Sequence, residues 1–119
     1  MTSIETAKCA AKAADSKKAD NIRVIKVENV TTIADYFVIA TGFSSTQVRA
    51  IADEIEFQLK EAGETVSHIE GHKNDTWILL DYVDVIVHVF SEEAREYYDL
   101  DKMWADGEPV DISDVLTEN

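Results

Sequence analysis

Two aspartates and a glycine–serine turn are the residues of this chain whose types would suit catalysis. Gly42 and Ser44 precede a predicted helix, and backbone N–H groups at a helix N-terminus can hold phosphate. A nucleotidyltransferase also needs two carboxylates, about two residues apart on one strand face, to bind Mg²⁺. Asp81 and Asp84 are three residues apart and lie on either side of a predicted turn. They cannot share a strand face, which argues against this enzyme class.

The histidines and the single cysteine match no common metal site or nucleophile. His68, His72 and His88 are four and sixteen residues apart, which fits no common zinc spacing, and Cys9 is remote in sequence. His88 lies in an apolar run, where a histidine bonded to a neighbour is the simplest interpretation. Cys9 lies among alanines and lysines with no evident base. We therefore expect no metal, no cofactor and no catalytic residue.

Aromatic residues in the C-terminal half are better candidates for a binding surface. Trp and Tyr are favoured anchors at protein interfaces, and the acidic residues between them would suit a basic partner. Each aromatic side chain could equally belong to the core. The aromatic residues are Trp77, Tyr82, Phe90, Tyr97, Tyr98 and Trp104, and the acidic residues are Asp81, Asp84, Asp99 and Asp101. The pattern favours a binding module over an enzyme.

The chain has 119 residues and a formal net charge of −13, which limits its partners. Phosphate backbones repel such a protein, so we expect no direct DNA binding, whereas basic proteins attract it. No apolar run approaches the ~20 residues of a membrane helix, and the lysine-containing N-terminus does not read as a secretory signal. A single cysteine fits a reducing compartment. We predict a cytoplasmic protein without membrane contact.

The element that must position the aromatic residues is a hairpin over residues 77–90. Two apolar runs rich in β-branched residues flank the polar residues 81–84, which predicts two antiparallel strands and a tight turn. The pleat of the second strand points Val85, Val87 and Val89 to one face and the residues between them to the other. Both faces are largely apolar, so both need a cover, and part of that cover could be another molecule.

The rest of the chain supplies further strands and the helices. A first helix is followed by two antiparallel strands near residues 22–30 and 36–41, and Ser44 caps a second helix. A third strand near residues 65–69 should return parallel to the second strand through a right-handed crossover. Another helix begins after Ser91. The sum is an α/β protein of the α+β type, with a mixed five-stranded sheet and flanking helices.

Short motifs are spread over most of the chain. They are Asp35-Tyr36-Phe37-Val38-Ile39, Thr41-Gly42 with Ser44-Ser45, Ile51-Ala52-Asp53, Glu70-Gly71, the hairpin Trp77–Phe90, and Arg95, Tyr98, Leu100, Met103 and Trp104. Together they resemble the ribosomal silencing factor family, also called Iojap-like. The match divides the chain into a ribosomal silencing factor domain over residues 1–105 and an acidic C-terminal tail over residues 106–119.

The resemblance implies a nucleotidyltransferase-like fold without the catalytic residues, and hence no enzyme. It implies a translational repressor that binds the large ribosomal subunit through a basic ribosomal protein, uL-fourteen, at the subunit interface. Such a factor blocks joining of the small subunit and lowers translation when nutrients are scarce. Members are often dimeric when free, so a homodimer is expected. The alternatives are a nucleotide-binding or nucleotidyltransferase enzyme on the same fold and a homodimeric scaffold.

The hairpin and the C-terminal motif supply the residues expected to bind the partner, with Trp77 as the main anchor. The complete set is Trp77, Asp81, Tyr82, Tyr98, Leu100, Lys102 and Trp104. The turn of the hairpin departs from the family pattern, because Val83 stands where members usually have glycine. A β-branched residue resists a positive φ. The turn must therefore either use another geometry or be strained.

Overall fold

The structure of the chain, a computed structural model, describes residues 1–71 and 76–116. The helices are α1 (Ser3–Ser16), α2 (Ser45–Glu61), α3 (Glu92–Tyr98) and α4 (Leu100–Met103). The strands are β1 (Asp20–Lys26), β2 (Tyr36–Gly42), β3 (His68–Glu70), β4 (Trp77–Asp81), β5 (Val85–Ser91) and β6 (Glu108–Val110). None of the described helices combines the length and the apolar character that crossing a membrane requires.

The described strands form one mixed sheet in the order β3-β4-β5-β2-β1-β6. β2 and β5 are parallel neighbours, whereas the pairs β1–β2 and β4–β5 are antiparallel. The predicted hairpin, the predicted antiparallel pair and the α+β class with flanking helices are therefore confirmed. The likeness to nucleotidyltransferases stays a prediction.

The sheet has six strands among the described residues, so the predicted number of five is wrong. The additional strand, β6, lies in the segment predicted as an acidic tail and pairs antiparallel with β1, with Val24 opposite Val110. Ile112, just beyond β6, is buried against the core. This strand was not predicted from the sequence, because acidic residues surround its few apolar residues. The domain boundary after residue 105 stays a prediction.

The third strand is shorter than predicted and occupies another place. β3 pairs antiparallel with β4 at the edge of the sheet, with Ile69 opposite Leu80. It runs in the same direction as β2, but β4 and β5 lie between them. The expected parallel neighbour of β2 is instead β5, because its longer apolar run fills the centre of the sheet better than three half-exposed residues would.

The first face of the sheet is covered by α1 and α2. Val85, Val87 and Val89 lie in this core, as the pleat predicts. The face that α1 turns inward is made largely of alanine, and Ala7 and Ala10 have no exposed surface, so the helix can approach the sheet closely. Ser44 begins α2 as predicted, since its Oγ accepts a hydrogen bond from the backbone N–H of Gln47 at 3.1 Å.

The second face of the sheet carries a separate core that the helices close only in part. Ile86 and Phe90 of β5 lie there, again as the pleat predicts, with Ala94 of α3 and Leu100 of α4 packed against them. The side chains of three further residues of this face are only partly buried. These are Trp77, Leu79 and Trp104.

The hairpin turn is strained at Val83, whose φ is +74°. The backbone N–H of Asp84 donates to the carbonyl of Tyr82 at 2.9 Å, which makes Val83 the centre of a γ-turn. The Asp81 carboxylate supports the turn by accepting from the backbone N–H of Val83 at 2.8 Å. Of the two possibilities raised by the sequence, strain is therefore the correct one.

Replacing Val83 by glycine should raise the free energy of unfolding by about 1 kcal/mol. Relieving the strain at such a residue should stabilise the folded state by about 1–3 kcal/mol. The greater flexibility of glycine in the unfolded chain offsets about 0.5–1 kcal/mol of this stabilisation. Val83 is 64% exposed, so little packing is lost. Urea unfolding of Val83→Gly and Val83→Ala would check this, since alanine keeps Cβ and should gain less. Equal or lower stability of the glycine variant would contradict strain at this turn.

Candidate functional site

Aromatic rings form a continuous row across the second face of the sheet. The ring of Trp104 lies 4.8 Å from that of Phe37, and Phe37 lies 5.3 Å from the imidazole of His88. His88 is 5.9 Å from Trp77, and Trp77 is 4.6 Å from Tyr98. All distances join ring centroids. The row is buried in its middle and reaches solvent at Tyr98, which is 46% exposed.

An open cleft lies at the Tyr98 end of this row, beside the edge strand β3. We call it the aromatic cleft, and it is lined by Glu70, Gly71, Thr76, Trp77, Leu79 and Tyr98. The cleft has aromatic side chains from Trp77 and Tyr98, an aliphatic one from Leu79 and a carboxylate from Glu70. Such a lining can hold an apolar side chain or the aliphatic part of a basic one. This geometry suits the binding of a side chain.

Gly71 determines how closely the chain passes over Trp77. Its φ is +82°, and a Cβ at this position would lie 1.9 Å from the backbone oxygen of Trp77. Any other residue would force the backbone at position 71 and strand β4 apart. The Glu70-Gly71 motif therefore has a physical reason at this site.

His88 lies beneath Trp77 and is hydrogen-bonded to it. The indole Nε1–H of Trp77 donates to Nδ1 of His88 at 3.1 Å. Burial lowers the pKa of His88 to about 4 from its usual value near 6.5, so the ring is neutral at physiological pH. Its proton is then on Nε2, a buried atom without a hydrogen-bond partner in the described part of the chain.

Arg95 holds the segment of α3 and α4 against the sheet. Its guanidinium is bidentate to Asp101, with Nε and Nη2 each 3.1 Å from a carboxylate oxygen. Nη1 donates to Thr41 Oγ1 at 2.8 Å and to the carbonyl of Asn21. Arg95 is buried, and Arg23 adds a bond to Asp101 at 2.8 Å. This network ties the segment that carries Tyr98 and Trp104 to β1 and β2.

The carboxylate of Asp101 is kept ionised by this network. Its partial burial raises the pKa, but the hydrogen bonds and charges of Arg95 and Arg23 lower it by more, and the net shift is downward. The stability that this shift contributes is present above the usual aspartate pKa and is lost as the pH falls below it. Near neutral pH the pair is therefore fully formed.

Four of the seven residues predicted to bind the partner have side chains that are at least partly exposed, and three of these four belong to the row of rings. Trp77 and Tyr98 are walls of the aromatic cleft. Trp104 lies at the far end of the row, against Phe37. Lys102 is exposed on α4. Each of these side chains has surface that a partner can reach.

Of the predicted residues, only Trp77 and Tyr98 line the aromatic cleft, and the remaining three lie neither there nor in the row of rings. Leu100 is 7% exposed and serves as core between α4 and the sheet. Asp81 lies at the opposite end of β4 from Trp77, about 13 Å away at the rise of a strand, and bonds its own turn. Tyr82 is buried in the other core, under α1 and α2, where burial raises the pKa of its phenol.

The residues considered for metal or nucleophile chemistry are scattered. No three histidine, cysteine or acidic side chains within residues 1–71 and 76–116 could share a metal ion. His68 Nε2 lies 2.9 Å from a carboxylate oxygen of Glu70 on the exposed edge strand. Burial raises the pKa of the Cys9 thiol, which disfavours the thiolate. His72 lies outside the described residues.

Sequence reasoning missed His88, Leu79 and Arg95 as parts of the site. The alternation of β4 could have found Leu79, since it shares a strand face with Trp77. His88 is one of few polar residues in the apolar strand β5, which was a signal, but its partner could not be identified from spacing. The bond between Arg95 and Asp101 follows from the break between α3 and α4 at Asp99, whose φ is +48°.

Comparison with known proteins finds a matching family model, similar curated proteins and similar solved structures. A family model described as "Ribosomal silencing factor during starvation" matches residues 1–119. The chain is 44% identical over 105 residues to a ribosomal silencing factor of Bacillus subtilis, covering 88% of this chain and 89% of that protein. It is 37% identical over 117 residues to one of Halalkalibacterium halodurans, covering 98% and 100%. A crystal structure of a Chromobacterium violaceum protein, 35% identical, matches with a TM-score of 0.86 and 88% coverage of both chains.

Asp101→Asn should lower the free energy of unfolding by about 3 kcal/mol. The change leaves the buried guanidinium of Arg95 without its counter-charge, and breaking a buried pair costs about 3–5 kcal/mol. Urea unfolding would measure the loss. Asp106→Asn is the matched control, because Asp106 is exposed on the same segment and should change stability by under about 0.5 kcal/mol. Equal effects of the two changes would contradict a structural role for the Arg95 network.

Stability should fall as the pH decreases from about 6.5 to about 4, partly because of His88. The unfolded chain binds a proton on this histidine in that interval and the folded chain does not, so protonation favours unfolding. The full contribution is about 3 kcal/mol. Urea unfolding at several pH values would measure it, with His88→Leu as the comparison. A variant with the same pH dependence as the original protein would contradict a neutral, buried His88.

Proposed function

The chain belongs to the ribosomal silencing factor family, and on that basis we propose that it is a cytoplasmic repressor of translation that binds the large ribosomal subunit. In this proposal the bound protein sterically blocks joining of the small subunit. Its contact is a basic ribosomal protein at the subunit interface, and the family resemblance implies that this protein is uL-fourteen. The role is that of a regulator, and no step of it requires catalysis.

The observation that carries the proposal is the incomplete cover of the second sheet face. Trp77 and Tyr98 form an open cleft there, whereas α1 and α2 close the first face. Aromatic anchors at the centre of an interface often supply most of its binding energy. Both side chains are also braced from behind, Trp77 by Phe90 with ring centroids 5.0 Å apart and Tyr98 by Trp77. The surface is therefore ordered before a partner arrives.

Charge supports a basic partner at the same surface. The formal net charge of the chain is −13, and α3, which carries Tyr98, also exposes Glu92, Glu93 and Glu96. At the rim of the cleft, the side chain of Glu70 is 65% exposed. Opposite charge speeds the encounter with a basic protein, and the aromatic contacts then slow its dissociation.

The proposal includes a homodimer for the free protein, as the family resemblance implies. Exposed apolar side chains are available for such a contact, and Phe43, between β2 and α2, is 62% exposed. Sedimentation equilibrium of the free protein measures this state separately from ribosome binding.

Tyr98→Ala should weaken binding to the large subunit at least about 30-fold. Truncating an anchor residue costs about 2 kcal/mol or more, and about 1.4 kcal/mol corresponds to a factor of ten. Co-sedimentation with separated ribosomal subunits would measure the affinity, and formation of joined ribosomes would measure the repression. Only the large subunit should retain the protein, and the variant should permit joining.

Phe57→Ala is the matched control, because it removes an aromatic side chain of similar exposure, 58% against 46% for Tyr98, from the helical side of the molecule. Its affinity for the large subunit should stay within about twofold of the original. Binding of the unmodified protein should also weaken as salt rises, since screening reduces the charge attraction. No retention by large subunits at low salt would refute the proposed function, and equal losses in both variants would refute the choice of surface.

A further inference from the structure

We propose that His88 is a positioning residue of the binding surface, which acts by holding the indole of Trp77 in the orientation that the ribosomal partner contacts. His88 itself is 5% exposed and touches no partner. The inference rests on the proposed function, because it concerns the same surface. The inference adds a buried residue, His88, that lies beneath Trp77 and acts on it through its Nδ1 atom.

The strand register makes this contact possible. In the β4–β5 pair, Trp77 is opposite Phe90 and Leu79 is opposite His88. Trp77 and His88 are thus diagonal neighbours on one sheet face, within reach of long side chains. The 3.1 Å bond from Nε1 of Trp77 to Nδ1 of His88 spans this diagonal. Because the acceptor is on β5, the indole is fixed to a buried strand in the interior of the sheet.

The imidazole is itself held in place by two buried rings. Phe90 lies parallel to it, with centroids 5.9 Å apart and an interplanar angle of 6°. Phe37 meets it edge-on at 79°. Phe90 and Phe37 are 0% and 3% exposed, so neither can move without disturbing the core. The direction of the Nδ1 lone pair is therefore determined by packing.

A histidine is a costly residue for this position if packing is its only task. Its Nε2–H is buried without an acceptor in the described part of the chain, and such an orphan donor destabilises a fold. Replacing both polar partners by apolar groups of similar shape is often neutral or stabilising. The requirement that does call for a histidine is a fixed acceptor for the indole N–H. Burial favours the neutral form that this acceptor needs.

The expected gain is preorganisation of Trp77. A side chain that is already ordered in the free protein loses no freedom when the partner binds. Without the bond, the indole can rotate about its own side-chain torsions, and part of the binding energy is then spent on ordering it. We expect this to weaken binding to the large subunit about tenfold.

The bond can be tested in the free protein by nuclear magnetic resonance. In uniformly ¹⁵N-labelled protein, a scalar coupling across the hydrogen bond should connect Nε1 of Trp77 with Nδ1 of His88. The ¹⁵N shifts of His88 should report a proton on Nε2. A proton on Nδ1, or no coupling with a freely exchanging indole N–H, would overturn the proposal whether or not the protein binds ribosomes.

The consequence for binding is tested with His88→Leu and His88→Asn. Leucine removes the acceptor, whereas asparagine carries an oxygen near the place of Nδ1 and should restore much of the affinity. We expect His88→Leu to remain folded, to bind the large subunit about tenfold more weakly and to let Trp77 move faster. Fluorescence anisotropy in a Trp104→Phe background, where Trp77 is the only tryptophan, would measure that motion. A folded His88→Leu protein with unchanged affinity would overturn the proposal.

A double-mutant cycle separates positioning from a general structural effect. Trp77→Phe keeps an aromatic ring at the cleft but has no N–H to donate. If His88 acts through that N–H, adding His88→Leu to Trp77→Phe should cause no further loss of affinity. If His88→Leu weakens binding as much in the Trp77→Phe background as in the original protein, His88 does not act through the indole N–H and the proposal is overturned. Failure of the original protein to bind large subunits would refute the proposed function alone, since the resonance and fluorescence results stand without it.

Discussion

The parallel pairing of β2 with β5 is the constraint on which the rest of the structure depends. Both strands are almost wholly buried, so both faces of the sheet centre must be kept from water. Two long helices accomplish this on one face. On the other face, the chain supplies only the short helices α3 and α4, and their span is too small for the width of the sheet. The aromatic cleft is the part of this face that they leave open.

The short helices α3 and α4 are attached to the sheet by an ion pair as well as by apolar packing. Few apolar side chains of α3 and α4 reach the core, and Arg95 with Asp101 provides the remaining attachment. A buried ion pair is a weak source of net stability, but its bidentate geometry admits only one arrangement. The place of Tyr98 beside Trp77 therefore follows from the place of Arg95. The site is specified by a polar network around an apolar surface.

The sequence predicted those features that follow from local pattern. Alternation along β5 assigned its faces correctly, and Ser44 located the start of α2. Features that depend on residues far away in the sequence were not predicted. One example is β6, which has few apolar residues and forms a strand by pairing with β1. The same limit applies to the site. Asp81 and Tyr82 were grouped with Trp77 because they are close to it in sequence. However, Asp81 lies at the other end of β4 from Trp77, and the side chain of Tyr82 lies on the opposite face of the sheet.

The central claim is that the partly open aromatic face contacts the large ribosomal subunit, and site-specific cross-linking tests it most directly. A photoreactive phenylalanine analogue at position 98, and separately at position 57, would be irradiated with purified large subunits and the cross-linked protein identified by mass spectrometry. The account predicts a cross-link from position 98 to one basic ribosomal protein at the subunit-joining face, and none from position 57. Cross-links from position 57 with none from position 98 would contradict it.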